Sequence, residues 1–195
     1  CDCSTLVGMT DPTAASLTFF NDRYRIHPAT MSSLLSVAMS RGGDFAELYF
    51  EHRTNSAITW EDQKVKSASR TVAQGVGIRV VKADAIGYAY TESLDLESMR
   101  RAAETAARIG DGPGGIPPVD ATPEFRGITY YDVSSPLTEV AATEKVALLE
   151  RADIAGRGYD ATIARLDASI GDELKYVLIA RSDGKVLGDV QPLIR

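Results

Sequence analysis

The sequence predicts an α+β fold: an antiparallel sheet with helices packed on one side, in two layers. Two observations carry this. Apolar and polar side chains alternate in short runs separated by turns, as a sheet with one wet face requires. Helical apolar spacing is confined to separate segments that flank groups of strands, the segregation that distinguishes α+β from strictly alternating folds. A third observation is fainter. The order runs helix, strands, helix, then helix, strands, and Ile58-Thr59-Trp60-Glu61-Asp62-Gln63-Lys64-Val65 shares Ile, Asp, Lys and Val with Ile179-Ala180-Arg181-Ser182-Asp183-Gly184-Lys185-Val186, which suggests an internal duplication of a helix-plus-strands unit.

Residues 1–27 are polar and unpatterned and read as a flexible N-terminal arm. His27-Pro28 opens a helix, Pro being suited to the first turn. Met31, Leu34, Leu35, Ala38 and Met39 form its apolar face, and Gly42-Gly43 ends it. Five strand runs follow. Ala46, Leu48 and Phe50 alternate with polar neighbours; Ala57–Trp60 and Val65–Ser69 flank a turn at Glu61-Asp62-Gln63; Val76, Ile78 and Val80 alternate; and Ile86, Tyr88 and Tyr90 return after Lys82-Ala83-Asp84. A second helix is capped by Asp95, with Leu96, Met99, Ala103 and Ala106 as its stripe.

Gly110 to Pro118 holds four Gly and three Pro and breaks the chain. The sequence thus divides into the arm, a first α+β unit at 28–110, a connection at 111–135 and a second α+β unit at 136–195. In the second unit Ser135-Pro136 starts a helix that runs to about Gly156. Ala164–Ile170 and Leu174–Arg181 are strands, the latter apolar enough to be central. Ser182-Asp183-Gly184-Lys185 is expected to be a type I′ hairpin turn, in which Gly184 is needed and Ser182 is dispensable. Val186, Val190, Leu193 and Ile194 then end the chain as an apolar strand with unpaired backbone, inviting self-association.

Composition excludes several functions. The 195 residues are 44% hydrophobic and 25% charged, ordinary for one globular domain or two small ones. A net charge of −6 without a basic stripe argues against a direct nucleic-acid partner. No apolar run approaches the roughly 20 residues of a membrane-spanning helix, so no membrane partner is expected. The only cysteines, Cys1 and Cys3, exclude a disulfide framework and a four-Cys zinc site. The first residue is not Met, and the chain reads as a processed product, a fragment, or one with upstream residues.

Candidate chemistry is sparse. Gly75-Val76-Gly77 begins like a dinucleotide loop but has Val80 where the third Gly belongs, and it sits in a strand; bulge or close-packing glycines are the expectation. Gly110–Gly115 lacks the Lys of a phosphate loop. Glu51-His52 supplies one His where a zincin helix needs two, so His52 is expected to be a surface or hydrogen-bonded side chain, and His27 a helix-entry residue. Glu61 and Asp62 read as solvated turn carboxylates. Tyr88 and Tyr90 share a strand face, as core or partner-contact residues do. No catalytic, cofactor-binding or metal residue is assigned.

The run Gly42-Gly43-Asp44-Phe45-Ala46-Glu47-Leu48-Tyr49-Phe50-Glu51 resembles the opening of the TldD/PmbA family, once called modulators of DNA gyrase. Ile58–Lys66, Gln74–Val80 and Gly87–Thr91 are similar to its following segments and favour the TldD branch, and Ile179–Gly184 resembles a later one. The likeness covers roughly residues 28–195. It implies a cytoplasmic zinc metallopeptidase that cuts unfolded or unstructured peptides as a dimer of TldD-like and PmbA-like subunits. It also implies an HExxxH-type zinc motif with a further Cys ligand in a C-terminal catalytic domain. These 195 residues contain no such motif, so the expectation is an N-terminal, non-catalytic portion that ends before that domain. It would contribute to dimer assembly and the proteolytic chamber, with no cofactor of its own and zinc held downstream. The alternative is a free-standing binding or assembly module of the same fold without protease activity.

Overall fold

A computed structural model describes residues 11–108, 121–123, 131 and 139–195. Among the described residues six strands form one sheet: β1 (Phe45–Glu61), β2 (Lys64–Lys82), β3 (Ala85–Thr91), β4 (Thr122–Pro123), β5 (Asp167–Arg181) and β6 (Lys185–Ile194). Their order is β3-β2-β1-β5-β6-β4, which places β5 centrally as its apolar composition predicts. The helices among these residues are α1 (Pro12–Tyr24), α2 (Pro28–Met39), α3 (Leu96–Ala107) and α4 (Ala142–Tyr159). The fold is α+β, and its sheet is mixed because β4 joins β6 in parallel, pairing Thr122 with Lys185 and Pro123 with Val186.

The five strand runs expected before α3 fuse into three long strands. Polar stretches at 53–56 and 70–74 carry no burial signal, yet backbone pairing continues through them. Ala164–Leu166 lie before β5, which then runs unbroken from Asp167. The compact units also differ from the expected sequential halves. The first comprises Cys1–His52, Ala73–Tyr130 and Tyr176–Val190, and the second Arg53–Val72, Tyr131–Lys175 and Gln191–Arg195. Long strands are shared between units, so no single cut of the sequence separates them.

In the first unit, the even-numbered residues of β1 (Ala46, Leu48 and Phe50) are fully buried together with Ile78 and Leu178. α2 lays its whole expected face, Met31, Leu34, Leu35, Ala38 and Met39, on this core. Gly42 takes φ 87°, the left-handed conformation that lets the chain turn from α2 into β1. α3 is capped as expected, Asp95 accepting from the Ser98 N–H at 2.8 Å, and buries Met99, Ala103 and Ala106. Leu96, assigned to that stripe, is instead exposed, because the first residue of the helix lies beyond the face it covers.

Part of the region read as a flexible arm is α1. Asp11 caps it, accepting from the N–H groups of Thr13 (2.8 Å) and Ala14 (3.2 Å). Its inner face is Thr13, Ser16, Leu17 and Phe20, a true i, i+3, i+4, i+7 set in which hydroxyls replace two apolar residues. Those hydroxyls bond the backbone of β6: Gly188 N–H donates to Thr13 Oγ1 at 3.0 Å, and Ser16 Oγ donates to the Asp189 carbonyl at 2.9 Å. The approach needs a glycine, since a Cβ on Gly188 would lie 2.8 Å from the Ser16 Cβ. Val186 and Val190, expected as exposed apolar ends, are buried.

The second unit has a small core of Ile58, Trp60 and Leu149, with Val146, Ala168 and Ile170 against it. Ser135-Pro136 lies outside the described residues; the helix there begins at Ala142. It also passes through Gly156, where the missing Cβ makes room for Leu166, and ends at Tyr159.

The type I′ turn expected between β5 and β6 occurs instead between β1 and β2. Asp62 (φ 51°) and Gln63 (φ 60°) both adopt positive φ, the type I′ conformation, between β1 and β2. Between β5 and β6 only Gly184 does (φ 86°), with its N–H bonded to the Arg181 carbonyl at 3.0 Å, a three-residue loop closed by a left-handed glycine. Ser182 is not dispensable. It is buried, and its Oγ accepts from the Ala46 N–H at 3.0 Å. Gly184→Val should cost about 1–2 kcal/mol or more through backbone strain. Ser182→Ala should cost about 1–3 kcal/mol by orphaning a buried N–H. Urea denaturation midpoints of both variants, each below that of the parent, are the check.

Candidate functional site

The outward face of the first unit carries an open groove. Val76, Ile78 and Val80 turn inward from β2, which leaves Gly75 and Gly77 facing out. The groove is lined by these glycines, by Tyr49 on β1 and by Tyr88 and Tyr90 on β3, and has a volume of about 230 Å³. Register aligns the parts: Gly77 lies opposite Tyr90, and Arg79 opposite Tyr88. Of the two glycines, Gly75 is the one that neighbouring backbone requires. A Cβ at Gly77 would sit 2.6 Å from the Tyr88 hydroxyl oxygen, and one at Gly75 would sit 2.8 Å from the Thr91 carbonyl. The expectation of close-packing glycines here is therefore met. Tyr88 and Tyr90 are 61% and 70% exposed, which removes the core reading and leaves the contact one. Glu51 and Glu92 complete the rim; Tyr49 donates its hydroxyl to Glu51 Oε2 at 2.9 Å.

The second unit holds a buried polar cluster. Lys145 Nζ of α4 donates to Asp172 Oδ2 of β5 at 2.7 Å and to Ser56 Oγ of β1 at 3.2 Å. Ser56 in turn donates to the same carboxylate oxygen at 2.5 Å. The lysine and aspartate side chains are 4% and 1% exposed. Ser56 sits beside a lysine, but that ammonium is committed to a carboxylate and is no general base, so the cluster is an ion pair that joins three elements. Sequence reading missed it because Lys145 belongs to a charged helix. The signal was the strand phase: Asp172 falls between Ile170 and Leu174, and Ser56 precedes Ile58 and Trp60, on the inward side.

His52 occupies the inward phase of β1 after Phe50 and is buried. Its Nδ1 lies 2.7 Å from the Tyr24 hydroxyl, and the Phe19 ring packs 4.9 Å away, centroid to centroid. Burial, and then the nearby Arg23 charge, push its pKa below the ordinary histidine value, which favours the neutral ring in this pair. The reading of His52 as surface or hydrogen-bonded resolves to hydrogen-bonded. His27 is the exposed residue before α2 and makes no side-chain cap. Glu61 is drawn into ion pairs with Lys66 (3.3 Å) and Arg165 (2.7 Å), while Asp62 takes the left-handed turn position beside it. Cys1, Cys3 and residues 110–115 lie outside the described residues. Among the described residues no three His, Cys, Asp or Glu side chains converge to hold a metal, so they do not fit a zinc site. No described helix is long and apolar enough to cross a membrane.

Comparison with known proteins gives concordant matches. Residues 46–110 match PmbA/TldA metallopeptidase domain 1, and residues 135–195 match the PmbA/TldA metallopeptidase central domain. The metalloprotease TldD homolog of Haemophilus influenzae is 28% identical over 167 residues, covering 85% of this chain and 35% of that protein. A metalloprotease TldD homolog of Buchnera aphidicola is 25% identical over 154 residues, covering 77% and 31%. The chain thus spans about a third of the length of these relatives. In fold it is similar to TldE from Thermococcus kodakarensis (TM-score 0.64, 17% identity, 84% of this chain and 37% of that one). A candidate modulator of DNA gyrase from Thermotoga maritima is similar as well (TM-score 0.66, 14% identity, 84% and 37%).

Two outcomes follow from the buried groups. Lys145→Met leaves Asp172 charged and uncompensated and should destabilise by about 3–5 kcal/mol, whereas Lys145→Met with Asp172→Leu should recover most of that loss. Denaturant titration of the single and double variants decides it. For His52 the folded pKa lies below the unfolded one, so its contribution is fully present above about pH 6.5 and is lost as pH falls through the depressed folded value. The thermal midpoint should fall on acidification below pH 6.5, and His52→Asn should flatten that part of the profile.

Proposed function

Because the chain belongs to the PmbA/TldD metallopeptidase family, we propose that it is the N-terminal, non-catalytic part of a TldD-like zinc metallopeptidase acting on unfolded or unstructured peptides. One observation carries this reading. The family's first and central domains match in that order along a chain that spans 35% and 31% of two metalloprotease relatives, and the 195 residues contain no HExxxH pattern. The zinc and its ligands would then lie elsewhere in the protein, and the peptidase would work in the cytoplasm. This portion would take part in pairing with a TldE-like or PmbA-like subunit and in enclosing the proteolytic chamber. The open groove lined by Gly75, Gly77 and three tyrosines supports the peptide part of the reading, as a surface along which an extended chain can lie.

The product of the complete reading frame should hold one zinc per chain and cleave an unstructured peptide in a chelator-sensitive manner. The 195-residue chain alone should do neither. Stoichiometric zinc and cleavage by the 195-residue chain would overturn the proposal. A reading frame that closes at Arg195 would instead favour the free-standing binding module.

A further inference from the structure

We propose that the tyrosine-walled groove of the first unit binds the arginine side chains of an extended polypeptide, in an Arg-X-Arg spacing. Three features point to this occupant. The first is charge. The ionisable acids lining the groove are Glu51 and Glu92, and among the described residues no lysine or arginine lines it. Arg79, opposite Tyr88 in the β2–β3 register, is held by Glu47 at 2.9 Å. An acidic rim over exposed aromatic faces complements a cationic group.

The second feature is ring chemistry. Tyr88 and Tyr90 are 61% and 70% exposed, and Tyr49, 38% exposed, lines the same groove. A planar guanidinium stacks on such rings while its N–H fork reaches a carboxylate, which an ammonium or a neutral side chain does less well. The third is spacing. Tyr88 and Tyr90 stand two residues apart on one strand, roughly 7 Å, the same distance as between residues i and i+2 of an extended peptide. Gly75 and Gly77 line the groove along that length, with the end of the Tyr88 side chain against Gly77 and the Thr91 carbonyl against Gly75. An extended chain along the groove would point alternate side chains at successive tyrosines, so two arginines separated by one residue engage both rings.

The proposal deepens the peptidase reading by naming the class of peptide, and it rests on that reading for the source of the peptide. Binding is measured without cleavage, so its failure and the failure of the peptidase reading are separate results. The probe is a blocked, fluorescein-labelled Gly-Ser-Arg-Gly-Arg-Ser-Gly peptide, titrated with the 195-residue chain and read by anisotropy. Controls carry citrulline for arginine, or place the two arginines adjacent. The Arg-X-Arg peptide should bind about tenfold or more tighter than the citrulline peptide, more weakly at 0.5 M salt, and tighter than the adjacent-arginine peptide. Tyr90→Ser and Glu92→Gln should each weaken it about two- to fivefold. Both positions are exposed, and circular dichroism checks that the variants fold; Ile86→Ser, further along the same strand face, controls for general loss of apolar surface. Equal binding of arginine and citrulline peptides would overturn the proposal, as would binding unchanged in Tyr90→Ser. So would sedimentation showing that the chain dimerises through this face without competition from the peptide, because the face would then belong to a second copy.

Discussion

The structure depends first on the two-residue phase of β1. From Ala46 to His52 the even-numbered side chains are buried, and Ile58 and Trp60 are buried again beyond the polar stretch at 53–56. A slip of one residue would turn Phe50 and Trp60 outward and bring Glu47, Tyr49 and Glu51 in, so the cost of an error grows with every turn of the pleat. The apolar members of this set supply core to each unit. The buried histidine of the set, His52, must find a partner there, and the half-buried Ser56 between the two stretches finds one as well. Tyr24 answers the first, and Asp172 with Lys145 the second. The polar interior of this chain is thus a consequence of strand continuity.

The same phase decides the outward face. On β2 the inward demand for Val76, Ile78 and Val80 leaves odd positions for residues that answer to their neighbours, and at 75 the neighbouring backbone leaves no room for a side chain. Glycine in a strand interior is costly in entropy and exposes backbone. Here Tyr88 lies over Gly77 and returns part of that cost by shielding the ladder. At the other side of the sheet β6 meets a different problem, a strand with few partners. The chain answers with a helix whose hydroxyls take the places of strand amides and carbonyls at Gly188 and Asp189, aided by the two-residue β4. Covering an edge with a hydroxyl-bearing helix removes a template for unwanted pairing without adding a full strand.

Much of this was legible in the residues. Alternation placed Ala46, Leu48, Phe50, Val76, Ile78 and Val80; spacing placed the face of α2; and Asp95 announced the start of α3. What was not legible failed for identifiable reasons. α1 escaped because Thr13 and Ser16 occupy core positions that a hydropathy reading scores as polar. β1 and β2 were cut short because a strand held by backbone pairing does not need apolar residues at 53–56 or 70–74 to persist. Asp183-Gly184 was read as a two-residue turn since that dipeptide tolerates two positive φ angles, but a third residue, Ser182, is claimed by Ala46 and fixes a longer loop. The less conspicuous Asp62-Gln63 takes the tight turn. For the groove, Gly75, Gly77, Tyr88 and Tyr90 were each noticed singly. Their assembly needed the register between β2 and β3, which no local pattern contains.

The charges divide sharply in what they contribute. Arg100 with Glu104, Arg101 with Glu97 and Lys66 with Glu61 are solvated pairs at 3.3–3.5 Å, each worth at most a few tenths of a kcal/mol up to about one. Lys145 with Asp172 is different in kind. Desolvating both groups cancels much of their attraction, so the pair adds little net stability over an apolar substitute of equal volume. What it does supply is discrimination. α4 has a modest apolar face, centred on Leu149 with Val146 beside it, and such a face tolerates sliding along the strands by a turn or a residue. The ammonium tolerates no such shift, since any register other than the observed one strands a buried charge on each side. Ser56 tightens this further by bonding both partners, so that one position on each of α4, β1 and β5 must coincide. The second unit, with only three large buried apolar side chains in its core cluster, is therefore located more by this cluster than by its hydrophobic contacts.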